Sequence, residues 1–229
     1  MAKSKYVYFF GGGKAEGSAK MKALLGGKGA NLAEMTNLGF PVPAGFTITT
    51  EVCAEYYKNK RKYPAGLKLD VEKNLSRLEK EMGSRFGDPD RPLLVSVRSG
   101  AASSMPGMMD TVLNLGISEK VVQGFIKKTG NERFAWDAYR RFIQMYGDVV
   151  MGVPHEAYEH ALESVKKAKK VKLDTELDAA DLQKVVGLYK QVYKKHTKKN
   201  FSSDAKEQLW GAIDAVFGSW NYERAIKYR

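Results

Sequence analysis

The residues able to do chemistry gather in two short loops. The first, Leu24-Leu25-Gly26-Gly27-Lys28-Gly29-Ala30-Asn31-Leu32, sets three glycines around one lysine directly before a helical pattern. Glycines let backbone N–H groups approach an anion, a helix N-terminus adds partial positive charge, and lysine brings a mobile point charge, so this is phosphate-binding chemistry. It is not a Walker A loop. Lys22 stands where that pattern wants its first glycine, and Gly29 follows the lysine where Ser or Thr would hold magnesium. The dinucleotide fingerprint fails as well, because Leu32 occupies the place of its third small residue. The same composition also serves a flexible turn before a helix.

The second loop follows an apolar run: Ser96-Val97-Arg98-Ser99-Gly100-Ala101-Ala102-Ser103-Ser104-Met105-Pro106-Gly107-Met108-Met109-Asp110-Thr111. Arg98 at a strand end offers a planar fork for phosphate oxygens, Ser103, Ser104 and Thr111 offer hydroxyls, and small side chains leave room against the backbone. An ordinary Ser/Gly turn with Met108 and Met109 as core filler is the plainer alternative. Asp137, Arg140 and Arg141, and Glu223 with Arg224, read as exposed structural charges. His155, His160 and His196 show no carboxylate at a recognisable spacing and read as solvated or helix-capping. With the one cysteine they form no metal-ligand spacing, so no metal site is expected.

Alternating strands and helices must position these loops. Tyr6 to Phe10 is a short strand, Ala30 to Leu38 a helix stopped by Gly39, and Phe46 to Thr49 a strand followed by a helix from a Thr50 cap to about Tyr57. Val71, Leu75, Leu78 and Met82 mark a helix after an Asp70 cap, and Leu93 to Val97 a strand. From about Ser118 to Asn200 the pattern is helical. One stripe runs through Phe134, Ala138, Phe142, Met145 and Val149, a short one through Tyr158, Leu162 and Val165, and another through Leu182, Val185, Val186, Tyr189, Val192 and Tyr193. Asp204 to Phe217 repeats the stripe before Gly218.

With 229 residues, 43% of them hydrophobic, the chain can bury a sizeable core in one large domain or two small ones. No run of about 18 apolar residues and no secretion signal is present, so neither a membrane span nor export is expected. The single cysteine, Cys53, reads as a buried inert thiol in a reducing cytoplasm. The net charge of +12 suits an anionic partner. Much of it lies in Lys166 to Lys172 and Lys190 to Lys199, which read as solvated helix faces, and no nucleic-acid-binding signature accompanies them.

Both loops, together with Tyr139-Arg140-Arg141-Phe142-Ile143-Gln144-Met145-Tyr146, resemble the amino-terminal nucleotide-binding region of the pyruvate, phosphate dikinase family, from Val7 to Arg229. The phosphoenolpyruvate synthases share the Gly-Gly-Lys and Val-Arg-Ser elements, and the Met105-Pro106-Gly107-Met108-Met109-Asp110-Thr111 string selects the dikinases. The resemblance implies an incomplete ATP-grasp-type domain of α+β class: an α+β subdomain from residues 1–117 and 202–229, with a helical subdomain, 118–201, inserted. It implies that Lys28 and Arg98 contact ATP phosphates, with Gly26, Gly27, Gly29 and Ser104 beside them, and that Gly107, Met109, Asp110 and Thr111 close over them. It also implies that Arg224 docks a phosphohistidine domain. In the family, ATP, phosphate and pyruvate become AMP, pyrophosphate and phosphoenolpyruvate with magnesium, through a histidine in a Thr-Ser-His-Ala-Ala-like setting. None of the three histidines here has that setting, so this chain is expected to be a catalytically silent fragment, its metal ligands and acceptor histidine lying outside it. Ala102 departs from the arginine often found there, which weakens phosphate or interdomain contacts. The alternatives are the ATP unit of a phosphoenolpyruvate synthase or related phosphotransferase, and a stand-alone basic helical binding module.

Overall fold

The computed structural model describes residues 5–102, 105 and 107–228. In chain order these form β1 (Val7–Gly11), β2 (Lys14–Ala15), α1 (Lys22–Asn37), β3 (Gly45–Ile48), α2 (Thr50–Lys58), α3 (Leu67–Met82), β4 (Arg85–Phe86) and β5 (Pro92–Leu93). Then come β6 (Val95–Arg98), β7 (Thr111–Leu115), α4 (Glu119–Thr129), α5 (Glu132–Val149), α6 (His155–Lys169), α7 (Ala179–Thr197), α8 (Ala205–Ser219) and α9 (Glu223–Tyr228), an α+β chain. These elements fall into two compact units. One holds the chain up to Ser84, Ser99–Met109 and the residues from Trp220 on; the other holds Arg85–Arg98 and Asp110–Ser219. The dividing points therefore differ from residues 117 and 201. Helix α8 packs on β6 and β7, and the buried Gln208 amide accepts from the Gly116 N–H at 2.9 Å and donates to the Ile117 carbonyl at 3.2 Å, which keeps these strands with the helices.

In the first unit β1 is the middle strand of an antiparallel sheet, order β2-β1-β3, with Val7 opposite Ile48 and Phe10 opposite Gly45. Val7, Phe9 and Phe10 are buried, and α3 packs on β1 with Val71, Leu75 and Leu78 turned inward. Glu16 clasps this packing. Its carboxylate accepts from the Phe9 N–H at 2.9 Å and pairs with Arg77 at 2.7 Å, whose guanidinium lies over the Phe9 ring. Helix α3 starts three residues ahead of Asp70, so Asp70 is no cap: it lies in the first turn, and its carbonyl accepts from Asn74 at 2.8 Å. Thr50 is not the cap of α2 either. Thr49 holds that position, while the Thr50 hydroxyl donates to the Ala23 carbonyl at 2.6 Å and so ties α2 to the start of α1. Cys53 is half-buried in α2 rather than fully buried.

In the second unit α5 and α7 lie together over a fully buried core of Tyr139, Phe142, Ile143, Tyr158, Leu182 and Tyr189. The buried face of α5 runs through Ala135, Trp136, Tyr139, Arg140, Phe142, Ile143 and Tyr146, leaving Phe134 exposed, so the stripe expected through Phe134 and Ala138 is displaced by one residue. Aromatic packing decides this: the Phe201 ring meets Tyr139, Phe142, Tyr146 and Tyr193 edge-on at centroid distances of 5.1 to 6.4 Å.

Arg140 is a buried charge, not a surface one. It is 3% exposed and pairs with Asp137 at 2.8 Å and Asp174 at 2.9 Å, while Lys166, also buried within the lysine run, pairs with Asp174 at 3.2 Å and Glu163 at 2.7 Å. His155 likewise has carboxylates nearby, Asp148 at 3.2 Å and, four residues on along α6, Glu159 at 3.6 Å. Burial raises the Asp137 carboxyl, but the bonds from Arg141 and Arg140 outweigh it and leave it below the ordinary 3.8. Asp174 is lowered likewise, Lys166 and Arg140 overcoming its burial, and Lys169 leads in pulling Asp178 down to about 2.

A carboxylate depressed in the folded state contributes stability above its unfolded pKa and loses that contribution as pH falls through the folded one. Urea midpoints should therefore hold above about pH 4 and decline toward about pH 2. Arg140→Met should cost about 3 kcal/mol at neutral pH and flatten that decline. An unchanged profile in the variant would contradict the role given to the network.

Candidate functional site

Helix α1 is two helical pieces joined at Gly26, which sits at φ 68° and ψ 169°. That conformation is essentially restricted to glycine. A Cβ at Gly26 would fall on the Gly100 carbonyl oxygen, so the backbones of the two loops touch here with no side chain between them. The longer piece begins at Gly27, whose N–H donates to the Ala101 carbonyl at 2.9 Å. One of the N–H groups that a helix start offers to an anion is thus already engaged by the second loop. Gly29 is buried, and a Cβ there would stand 2.8 Å from both Cγ2 and Oγ1 of Thr47; its lack of a side chain lets α1 lie on β3.

Lys28 is exposed on the first turn of that piece and reaches across to the second loop. Its ammonium donates to the Ser99 carbonyl at 2.9 Å and to the Ser99 hydroxyl at 3.4 Å. Ser99 itself is only 6% exposed. Gly26, Gly27, Lys28 and Gly29 are therefore brought together with Ser99, Gly100 and Ala101 within the first unit.

Arg98 and Thr111 are brought together in the second unit. They face each other at the end of the antiparallel β6–β7 ladder, Arg98 exposed and Thr111 half-buried. Directly opposed residues of such a ladder leave the same face, which puts a guanidinium beside a hydroxyl. A register shift between Val95 and Val97, with Asn114 at φ 58°, breaks the alternation of β7 so that both Val112 and Leu115 are buried. Asp110, just ahead, donates its N–H to the buried Ser219 hydroxyl at 3.2 Å, and that hydroxyl donates to the Val216 carbonyl at 2.7 Å.

The rest of the second loop belongs to the first unit. Gly107 is exposed at φ 68°, the Met108 N–H closes a turn on the Met105 carbonyl at 3.3 Å, and Met109 is half-buried. Arg224 on α9 donates from Nε to the Met108 carbonyl at 3.1 Å and stacks over Tyr222. Ser104 lies outside the described residues. Among the described residues no group of three or more His, Cys, Asp or Glu is placed to hold a metal ion.

Two supporting residues escape a reading of the loops alone. Ser99, which holds Lys28, stood inside the Val-Arg-Ser-Gly string, so its place was visible though its partner was not. Ser219 lies 109 residues from Asp110, and nothing local to either announces their bond.

A profile of the family described as "Pyruvate phosphate dikinase, AMP/ATP-binding domain" matches residues 22–63 and 63–229. The chain is 56% identical over 225 residues to a chloroplastic pyruvate, phosphate dikinase of Mesembryanthemum crystallinum, covering 98% of this chain and 24% of that protein. It is 55% identical over 226 residues to the pyruvate, phosphate dikinase of Rhizobium meliloti strain 1021, covering 99% and 25%. For pyruvate, phosphate dikinase 2 of Zea mays the identity is 54%, over 99% and 26%. The chain thus spans about a quarter of the length of these relatives.

The glycines of the first loop should respond differently to alanine. Gly26→Ala forces both a barred conformation and a clash with Gly100, and should destabilise the protein by about 3 kcal/mol. Gly27→Ala places its Cβ 3.5 Å and 3.6 Å from the Ala101 and Ala102 carbonyl oxygens, ordinary contacts, and should stay within about 1 kcal/mol of wild type. Denaturant melts read both; equal losses would contradict the geometry.

Proposed function

The chain belongs to the pyruvate phosphate dikinase AMP/ATP-binding domain family, and from that premise we propose that it binds ATP through the phosphates. Its setting would be an ATP-grasp-type half-site with an inserted helical subdomain, in a phosphotransferase that turns ATP, phosphate and pyruvate into AMP, pyrophosphate and phosphoenolpyruvate. The observation that carries this reading is the Lys28 ammonium, held by Ser99 at the Gly26–Gly100 contact beside a helix start. A fixed cation at the positive end of a helix favours a polyanion over a neutral ligand. In the second unit, Arg98 with Thr111 offers a planar fork and a hydroxyl, groups that phosphate oxygens accept from.

The roles of this chain's residues are binding and orientation. Lys28 and Arg98 would each hold phosphate oxygens; Gly107, Met109 and Asp110 are proposed from their place in the string, Asp110 being anchored through Ser219. Ser104 is proposed from its place in the string alone. Arg224, which already fastens the Met108 carbonyl, is the proposed docking residue for a phosphohistidine domain of a longer protein. Magnesium would neutralise charge on the triphosphate. Among the described residues no group of three or more His, Cys, Asp or Glu is placed to hold it. No helix among them is long and apolar enough to cross a membrane. A cytoplasmic setting is part of the proposal, and two of the relatives named above are chloroplastic or bacterial proteins.

Titration with MgATP at low salt tests the reading. Lys28→Ala and Arg98→Ala should each weaken MgATP about tenfold or more, the loss of one charge-assisted contact, with unchanged thermal unfolding. Added salt should weaken the wild-type protein toward the variants. Variants that bind MgATP as the wild type does would remove the two residues from the site.

A further inference from the structure

We propose that Ser99 is a positioning residue for the phosphate site: its carbonyl and hydroxyl fix the direction of the Lys28 ammonium before the ligand arrives. This rests on the reading that Lys28 contacts the phosphates. Three observations carry it. The Lys28 ammonium meets two acceptors from one residue, at 2.9 and 3.4 Å, and Ser99 is 6% exposed, so the partner is a built part of the interior and not a passing surface contact. The Ser99 carbonyl cannot drift, because the next residue, Gly100, is pressed against Gly26 and the one after, Ala101, accepts from the Gly27 N–H. The lysine and its anchor are therefore fastened to each other twice over, through side chain and through backbone.

An ammonium that donates to both the carbonyl and the hydroxyl of one buried residue has its position fixed relative to that residue. A lysine side chain is otherwise a long flexible stem whose ordering opposes binding, so holding it in place beforehand favours a polyanion without any contact between Ser99 and that ligand. The Ser99 hydroxyl is the part of this device that substitution can remove, the carbonyl being common to every residue.

The test uses Ser99→Ala, the conservative Ser99→Thr and the near-isosteric poor acceptor Ser99→Cys, each in the wild-type and Lys28→Ala backgrounds. Binding of MgATP, inorganic tripolyphosphate and adenosine is followed by calorimetry, with thermal unfolding as the check on folding. Ser99→Ala and Ser99→Cys should weaken MgATP and tripolyphosphate about fivefold, leave adenosine unchanged, and have no further effect once Lys28 is alanine. Ser99→Thr should restore the affinity. Full phosphate affinity in Ser99→Ala and Ser99→Cys would overturn the proposal, as would an equal loss for adenosine or an equal loss in the Lys28→Ala background. If Ser99→Ala does not fold, Ser99→Cys decides alone. Should Lys28→Ala bind MgATP as tightly as the wild-type protein, or the wild type not bind it at all, the phosphate role of Lys28 fails and the proposal with it. That outcome is read from proteins carrying Ser99 intact.

Discussion

The contact between the Gly26 and Gly100 backbones is the constraint on which the candidate site depends. Two loops separated by about seventy residues meet there with no room for a side chain. Everything nearby follows from that closeness. The Gly27 N–H finds the Ala101 carbonyl, the Lys28 ammonium finds Ser99, and the longer part of α1 takes its direction from the turn at Gly26. The opposite face of the same helix is fixed by Gly29 against Thr47 of β3, so the helix start is held from both sides.

The two halves of the chain stabilise themselves differently. In the first unit a single carboxylate, Glu16, draws together the Phe9 N–H, Arg77 and Lys5 around the central strand. In the second, charge is threaded through the helices: Arg140 and Lys166 converge on Asp174, and Lys169 on the Asp178–Asp181 capping box, around an aromatic cluster with Phe201 at its middle. Within the two lysine runs Lys166, Lys169 and Lys190 are committed to ion pairs, while Lys167, Lys170, Lys172, Lys194, Lys195, Lys198 and Lys199 are exposed, as a solvated face requires. A buried charge such as Arg140 costs desolvation, which makes its pairing a determinant of where the helices sit as much as of net stability.

Helices α2, α3, α6, α7 and α8 and strands β1 and β3 were legible in the sequence because apolar periodicity records which face is covered, whereas α1 begins at Lys22 and not at Ala30, and β2 and α9 gave no signal. The stripes of α6, α7 and α8 matched the residues found buried, except that Val192 of α7 is only half-buried. The stripe of α5 did not, because Trp136, Tyr139, Ile143 and Tyr146 carry its core face while Phe134 points outward. Strand β7 gave no alternation to read, since its bulge buries Val112 and Leu115 at a spacing of three. Both loops of the site could be found from their residue types, and the resemblance they carried agrees with the family match. Their joining could not be found that way. A glycine needed for a backbone 74 residues away looks in sequence the same as one needed for a turn or an anion.

The central claim is that these two loops form one phosphate seat at the Gly26–Gly100 contact. Amide NMR spectra recorded during titration with inorganic tripolyphosphate test it most directly. The account predicts that the signals of Lys28, Gly29, Ser99, Gly100 and Ala101 shift together along one binding curve. Shifts confined to the lysine-rich ends of α6 and α7, with the loop amides unmoved, would contradict it.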